Sequence, residues 1–378
     1  MSQWPAASGQ YHRHVDRMEV VRVTEQEKRI VVIGAGIMGA SLAYHLARKG
    51  ARVTVVDAEG IASGVTGHSF AWINTSSSEP DPIAPLRSAA IEAYHQLETE
   101  LPGLTVQWTG ALSYGEMTSA APSAASNPPV ANRLSRAQIL DLEPNLKHPP
   151  ESASYAPAEG ALDPMATTQA LIAGAQAHGA KVLTRTPVHG LAIRHAKVIG
   201  VETAMGIIEA DLVVVAAGTG ITKLTDRLEM PLPIEASPAL LIRYKTQPNR
   251  VRTLISSPEM EVRQTAQGAL LAAEDYLDDT TENQPDAIAL RTAKAIQDAL
   301  HGVVAIEPEW ACVGLRPMPA DGIPIIGYLP KVAGVYVCAA HPGITLAAIV
   351  GRLASEEIID GEVSSALGPC RPDRFFRD

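Results

Sequence analysis

Apolar positions in this chain alternate between short unbroken runs and helical spacing, which predicts strands alternating with helices. Ile30-Val31-Val32-Ile33 is β-branched throughout without polar alternation, the mark of a strand buried in a parallel sheet. A helix over 37–49 and a second strand over 52–56 follow it. Helical spacing at Leu86, Ala89, Ala90, Ala93, Tyr94 and Leu97 predicts an amphipathic helix over 86–101, after a breaker cluster at 76–82. Residues 105–114 read as strand, and the Ala/Ser/Pro-rich 119–131 as loop. Farther on, a helix is expected at about 165–178, then strands near 181–185, 188–194 and 197–203. Residues 211–215 form another continuous apolar strand, and 216–220 turn sharply after it. Strands such as 239–244 and 268–273 come next, with a helix near 286–300. A Gly/Pro-rich passage from 314 then leads to a strand over 335–339 and a helix starting near Gly343. No internal repeat is visible.

Length changes this picture first. At 378 residues the chain exceeds one compact core of ordinary size, so about two domains are expected. One unit takes 28–75, 150–230 and 314–365; 76–149 and 231–313 interrupt it. Residues 1–27 read as a flexible extension, in which Met18 offers a second start, and 366–378 as a tail. No apolar leader core lies in the first 28 residues, so no secretory signal is expected. The apolar runs are too short for a membrane span. A net charge of −10 without any basic block argues against nucleic acid or anionic membrane as a partner. Cys312, Cys338 and Cys370 form neither a C-x-x-C pair nor an even framework, so a cytoplasmic setting is expected.

Chemistry enters at the first strand's end. Gly34, Gly36 and Gly39 follow it in G-x-G-x-x-G spacing. They suit a tight turn, close approach of backbone to a pyrophosphate, and close packing of the next helix. That helix opens with Ile37 and Met38 and turns backbone N–H groups and the positive dipole end toward the pyrophosphate. Asp57, 18 residues after Gly39, ends the second strand and suits a ribose hydroxyl, favouring FAD or NAD over NADP.

Three further motifs follow in order. Residues 62–69, Ala-Ser-Gly-Val-Thr-Gly-His-Ser, form a small-residue loop. Residues 206–218 are an apolar strand closed by Ala217 and Gly218. Gly314-Leu315-Arg316-Pro317 runs through Asp321–Gly327 to His341-Pro342-Gly343-Ile344-Thr345-Leu346. With these four motifs the chain resembles the D-amino-acid oxidase, glycine oxidase and sarcosine oxidase family of flavoproteins over about residues 29–360. The resemblance implies an α/β fold: a Rossmann-like FAD-binding domain interleaved with an α+β substrate domain built on an antiparallel sheet.

It also implies FAD as cofactor. Ser63, Thr66, Gly67, His68 and Ser69 would lie along the diphosphate and ring, and the backbone of Val188 would meet the adenine. The helix from Gly343 would direct its N–H groups at the flavin N1/C2=O edge, an effect worth roughly 0.3–1 kcal/mol. Arg316 becomes the candidate anchor for a substrate carboxylate; the alternative is an arginine paired to an internal acid or loop carbonyl. His341 would stand at the site's mouth, as a catalytic group or as a histidine fixing the loop. His68 has the spacing used for covalent flavin attachment in related dehydrogenases, or is an unattached loop histidine. The cysteine linkage of sarcosine oxidases is disfavoured, because Gly314 takes that position; Cys312 and Cys338 read as buried core thiols.

The implied reaction is oxidation of a C–N bond in a small amine or amino acid, by hydride transfer to flavin N5 and imine hydrolysis. The alternative is a flavin-binding subunit of a multi-component dehydrogenase with little activity alone. An NAD-dependent dehydrogenase leaves 314–346 unexplained. Oxygen and an electron carrier both stay open as acceptor, since 264–273 lacks the lysine that monomeric sarcosine oxidases carry over the flavin. An oligomer is possible. Trp72, Asn74, Tyr114, Tyr244 and Tyr276 are pocket candidates, and 274–279 reads as a solvated acidic loop. The histidines show no metal-ligand spacing, so no metal is expected, and the absence of G-x-S-x-G removes the simple hydrolase.

Overall fold

The computed structural model describes residues 27–75, 81–115, 131–276 and 280–376. The expected extension up to residue 26, breaker residues 76–80 and the loop over 119–130 lie outside the described residues.

A six-stranded sheet forms the first unit, in the order Ile325–Tyr328, Val335–Ala339, Leu212–Val215, Arg29–Ile33, Arg52–Val56 and Lys181–Leu183. All neighbours are parallel except the first pair. Ile30 and Val32 pack on one side against helices Ile37–Arg48, Ala84–Glu100, Pro164–Ala177 and Gly343–Ser355. Val31 and Ile33 pack on the other, against the antiparallel meander Val188–Arg194, Lys197–Thr203 and Gly206–Glu209. Burial on both faces is why this strand shows no polar alternation.

The second unit is an eight-stranded sheet, antiparallel but for the Leu254–Ser256/Ala111–Ser113 pairing. Its order is Pro308–Pro319, Ile234–Tyr244, Leu270–Asp275, Glu261–Gln264, Leu254–Ser256, Ala111–Ser113, Ser152–Ala156 and Asn132–Ser135. Leu240, Ile242, Tyr244, Val262, Leu270 and Ala272 bury one face, against residues such as Ile288 and Ile296 of helix Pro285–Ala299. The opposite face turns toward the first unit.

Several expectations shift, each for a local reason. The strand read over 105–114 breaks at Gly110, whose φ of +73° turns the chain. Val106–Gln107 joins a small sheet with Trp72–Ile73 and Gly160–Leu162, while Ala111–Ser113 joins the large one. The strand expected over 268–273 begins two residues late, because Gly268 at φ +88° makes the turn. Glu274 and Asp275 complete that strand instead of lying in a solvated loop, and Glu274 accepts from Thr292 Oγ1 at 2.8 Å; residues 277–279 are outside the described residues. The Gly/Pro-rich passage from 314 conceals the longest strand, Pro308–Pro319. It lies at a sheet edge, where prolines need not donate to a second neighbour. The boundary expected at 314 therefore falls inside a strand. The one expected at 150 precedes Ser152–Ala156, which pairs within the large sheet.

Candidate active site

One cavity of about 1780 Å³ opens between the two units. It exceeds the ~300–1,000 Å³ usual for a single small-molecule pocket, leaving room for a dinucleotide and a second ligand.

Backbone builds its first wall. Gly34 has φ +105°, and a Cβ there would overlap the Ala216 carbonyl where strand Leu212–Val215 ends. Gly36, Ile37 and Met38 open the first helix into the cavity with no side-chain cap. Of that helix's first N–H groups, Ile37's is taken by Thr66 Oγ1 at 3.1 Å. Asp57 borders the same space; its carboxylate accepts from Ala35 N at 2.7 Å and Glu59 N at 2.9 Å. Val188, Ala217 and Gly218 continue the wall.

The loop 62–69 is tied to its own flanks. Ser63 Oγ donates to the Gly60 carbonyl at 2.8 Å, and Ser69 Oγ accepts from Ala71 N at 3.1 Å. Ser63, Thr66, His68 and Ser69 line the cavity. A Cβ on Gly314 would stand 3.1 Å from the His68 Cβ, so the amino-terminal loop and the arginine-bearing strand touch.

Helix Gly343–Ser355 also begins at the cavity without a capping side chain, with Gly343 and Ile344 on the wall. Two uncapped, positive helix ends thus face one space. Gly39, Gly67, Thr345 and Leu346 lie behind the wall. A Cβ on Gly39 would overlap the Gly34 carbonyl, and one on Gly67 would stand 2.7 Å from the Ala62 carbonyl. Thr345 Oγ1 accepts from Asn74 N and donates to the Trp72 carbonyl, both at 3.2 Å; Leu346 is core. Trp72 and Asn74 do line the cavity, the indole donating to buried Glu159 at 2.8 Å.

Side chains build the second wall. Arg316 is half-buried: Nη2 donates to Ser237 Oγ at 2.9 Å and the Pro238 carbonyl at 3.2 Å, and Nε reaches the Ser237 carbonyl at 3.5 Å. Asp275 lies 3.9 Å away. Three of the five guanidinium donors are thus engaged, which leaves the two on Nη1. His341 is pushed down to about 4 by burial, then by Arg316 and Arg87, so its imidazole is neutral at physiological pH. Both residues line the cavity.

Tyr114, Tyr244 and Tyr276 do not reach the wall; they pack with the core behind the large sheet, where Tyr244 donates to the Ala289 carbonyl at 2.7 Å. Cys312 is half-buried and donates weakly to the Leu241 carbonyl at 3.8 Å, whereas Cys338 is buried and borders the cavity. Sequence reasoning passed over Glu261, which lines the cavity and is held up at about 7 by burial and by Asp275 and Glu274. Its only signal was an acid inside a short strand. Among the described residues no cluster of His, Cys, Asp and Glu could hold a metal, and no helix is long and apolar enough to cross a membrane.

Residues 29–357 match the family model described as FAD dependent oxidoreductase. The bifunctional protein ThiO/ThiG of Synechocystis is 27% identical over 92% of the chain, which spans only 54% of that protein's length. An opine oxidase subunit from Agrobacterium tumefaciens is 24% identical over 92% of the chain and 98% of its own length. Crystalline glycine oxidase from Bacillus cereus shares the fold, with TM-score 0.77 at 21% identity over 90% of this chain and 97% of that one.

Proposed function

The chain belongs to the FAD-dependent oxidoreductase family, and on that premise we propose that it oxidises a C–N bond in a small amine or amino acid, with hydride passing to flavin N5 and the imine hydrolysing in water. The observation that carries this reading is the shared cavity: two uncapped helix ends and the Gly314–Arg316 segment border one space. The glycine turn fits the cofactor, since any Cβ at Gly34 is already excluded by backbone and none fills the space beside Gly218.

FAD, when bound, supplies the two-electron acceptor. Gly36 and Met38 would hold its diphosphate by backbone N–H groups, Gly34 and Ile37 would shape the turn beside it with their own N–H groups bonded to Val56 and Thr66, and Asp57 and Val188 would stand at the adenosine end. Ser63, Thr66, His68, Ser69 and Gly314 would border the ring, and Gly343 and Ile344 would present the second positive helix end to it. Gly39, Gly67, Thr345 and Leu346 support these residues from behind. Arg316 would take a substrate carboxylate on Nη1, beside the neutral imidazole of His341.

Anaerobic addition of small amines and amino acids to the FAD-loaded protein tests the proposal. Bleaching near 1:1 stoichiometry is expected from at least one of them, and air then reports whether oxygen is the acceptor. A colourless protein that takes up no FAD would falsify the reading. The likeness to an oxidase component that is itself named as a subunit favours a second reading, a flavin-binding subunit needing a partner. A yellow protein that nothing bleaches alone supports that one.

A further inference from the structure

The cavity face of the large sheet carries one transverse row whose register is fixed. Ser154 pairs with Ser113, Ser113 with Ser256, Ser256 with Glu261, Glu261 with Ala273, and Ala273 with Leu241. Paired residues share a face, and all six line the cavity. Glu261 is the one charged member. Among the described residues no cation forms an ion pair with it. Arg263, two residues on, donates instead to the Phe70 carbonyl at 2.7 Å and the Leu162 carbonyl at 3.0 Å.

We propose that Glu261, with the Ser256 hydroxyl beside it and Ser113 one strand beyond, binds a second, cationic nitrogen on the substrate, distal to the carboxylate held by Arg316. The inference rests on the amino-acid reading of the function and names its substrate class: amino acids with a basic side chain.

The register argues for a distal group. The backbone of Arg316 lies three strands and four residues from that of Glu261, about 20 Å by ordinary sheet spacings. An α-ammonium is bonded to the carbon beside the carboxylate and stays at the Arg316 end of that interval, where it cannot meet Glu261 unless both side chains extend fully toward each other. A nitrogen several bonds away can. The chemistry agrees, because a carboxyl in a largely desolvated wall ionises more readily when a cation arrives. The groups bearing on its charge are Asp275 and Glu274, which hinder ionisation, and Arg316 and Ser256, which favour it.

The test is calorimetric binding of lysine, ornithine and norleucine to the FAD-loaded protein at pH 6 and pH 8, with anaerobic bleaching read separately. Lysine or ornithine should bind at least tenfold more tightly than norleucine, and the ratio should grow from pH 6 to pH 8 as Glu261 ionises. Glu261→Gln should reduce the ratio below twofold at both pH values, and Glu261→Asp should restore part of it. A wild-type ratio near one, or a ratio that survives Glu261→Gln, overturns the inference. Selective lysine binding without bleaching by any amine would instead overturn C–N oxidation and leave the Glu261 site standing. Bleaching by norleucine with no preference for lysine does the reverse.

Discussion

The cavity has two walls made in different ways. Beside the parallel sheet the wall is mostly backbone: a glycine turn at positive φ, two uncapped helix ends, and a loop of small residues. Beside the antiparallel sheet it is mostly side chain, with Arg316, Glu261 and serine hydroxyls standing on a regular strand lattice. Backbone presents the same groups whatever the residue, so its geometry tolerates almost no substitution at the few points where it bends. A strand lattice tolerates nearly any side chain, and so leaves room for specificity.

The largest effect should come from Gly34→Ala. The new residue would sit at φ +105°, and its Cβ would overlap the Ala216 carbonyl. Strain of about 1–3 kcal/mol from the conformation alone adds to a clash that only movement of the neighbouring strand relieves. The flavin-to-protein absorbance ratio should fall to near zero. Retention of most of the flavin would show that the turn is not rigid, and would weaken the contrast between the walls.

Arg316→Lys tests the other wall. It keeps the charge and loses the planar fork, so kcat/KM for carboxylated amines should fall about tenfold, roughly 1.4 kcal/mol. Amines without a carboxylate should change much less. An equal fall for both would return Arg316 to the role of an internal strut on Ser237 and Pro238.

Glu261 should also affect stability. Its folded pKa of about 7 lies above the unfolded value, so stability present at low pH is lost as pH rises through that window. Glu261→Gln should therefore raise Tm at pH 8 and change it little at pH 4. His341 runs the other way: held near 4 when folded, it leaves the unfolded chain binding more protons as pH falls below 6.5, and stability drops. His45, buried in the first helix and also near 4, adds to that acid-side loss. Thermal melts of wild type, Glu261→Gln and His341→Asn from pH 4 to pH 8 separate the opposing slopes. Equal shifts at every pH would assign both residues to packing.

This division also sets how much of the site could be read beforehand. The glycine turn, Asp57 and the helix from Gly343 were legible because a bend or a helix start restricts residue type locally. Strand Pro308–Pro319 was misread because its prolines argue against a central strand, and edge position is a tertiary fact. Glu261 was invisible for a related reason. Nothing local distinguishes an acid facing solvent from one facing a cavity; only its pairing with Ser256 and Ala273 does. Tyr244 failed likewise: alternation along a strand gives two faces without saying which one is wet.

Gly218→Ala should have the smallest effect on the empty protein, and it separates conformation from crowding. Its φ of +57° is the ordinary left-handed region, and nothing lies within 4 Å of where a Cβ would stand. Conformation alone should therefore cost about 1–2 kcal/mol, measurable by denaturant titration of the apoprotein. Gly218 lines the cavity, so a dinucleotide lying against this backbone would meet the new methyl group. FAD affinity should then fall by more than the apoprotein stability does. If affinity is unchanged while stability falls as expected, the cofactor does not approach the wall at Gly218, and the backbone-built surface is narrower than the lining residues suggest.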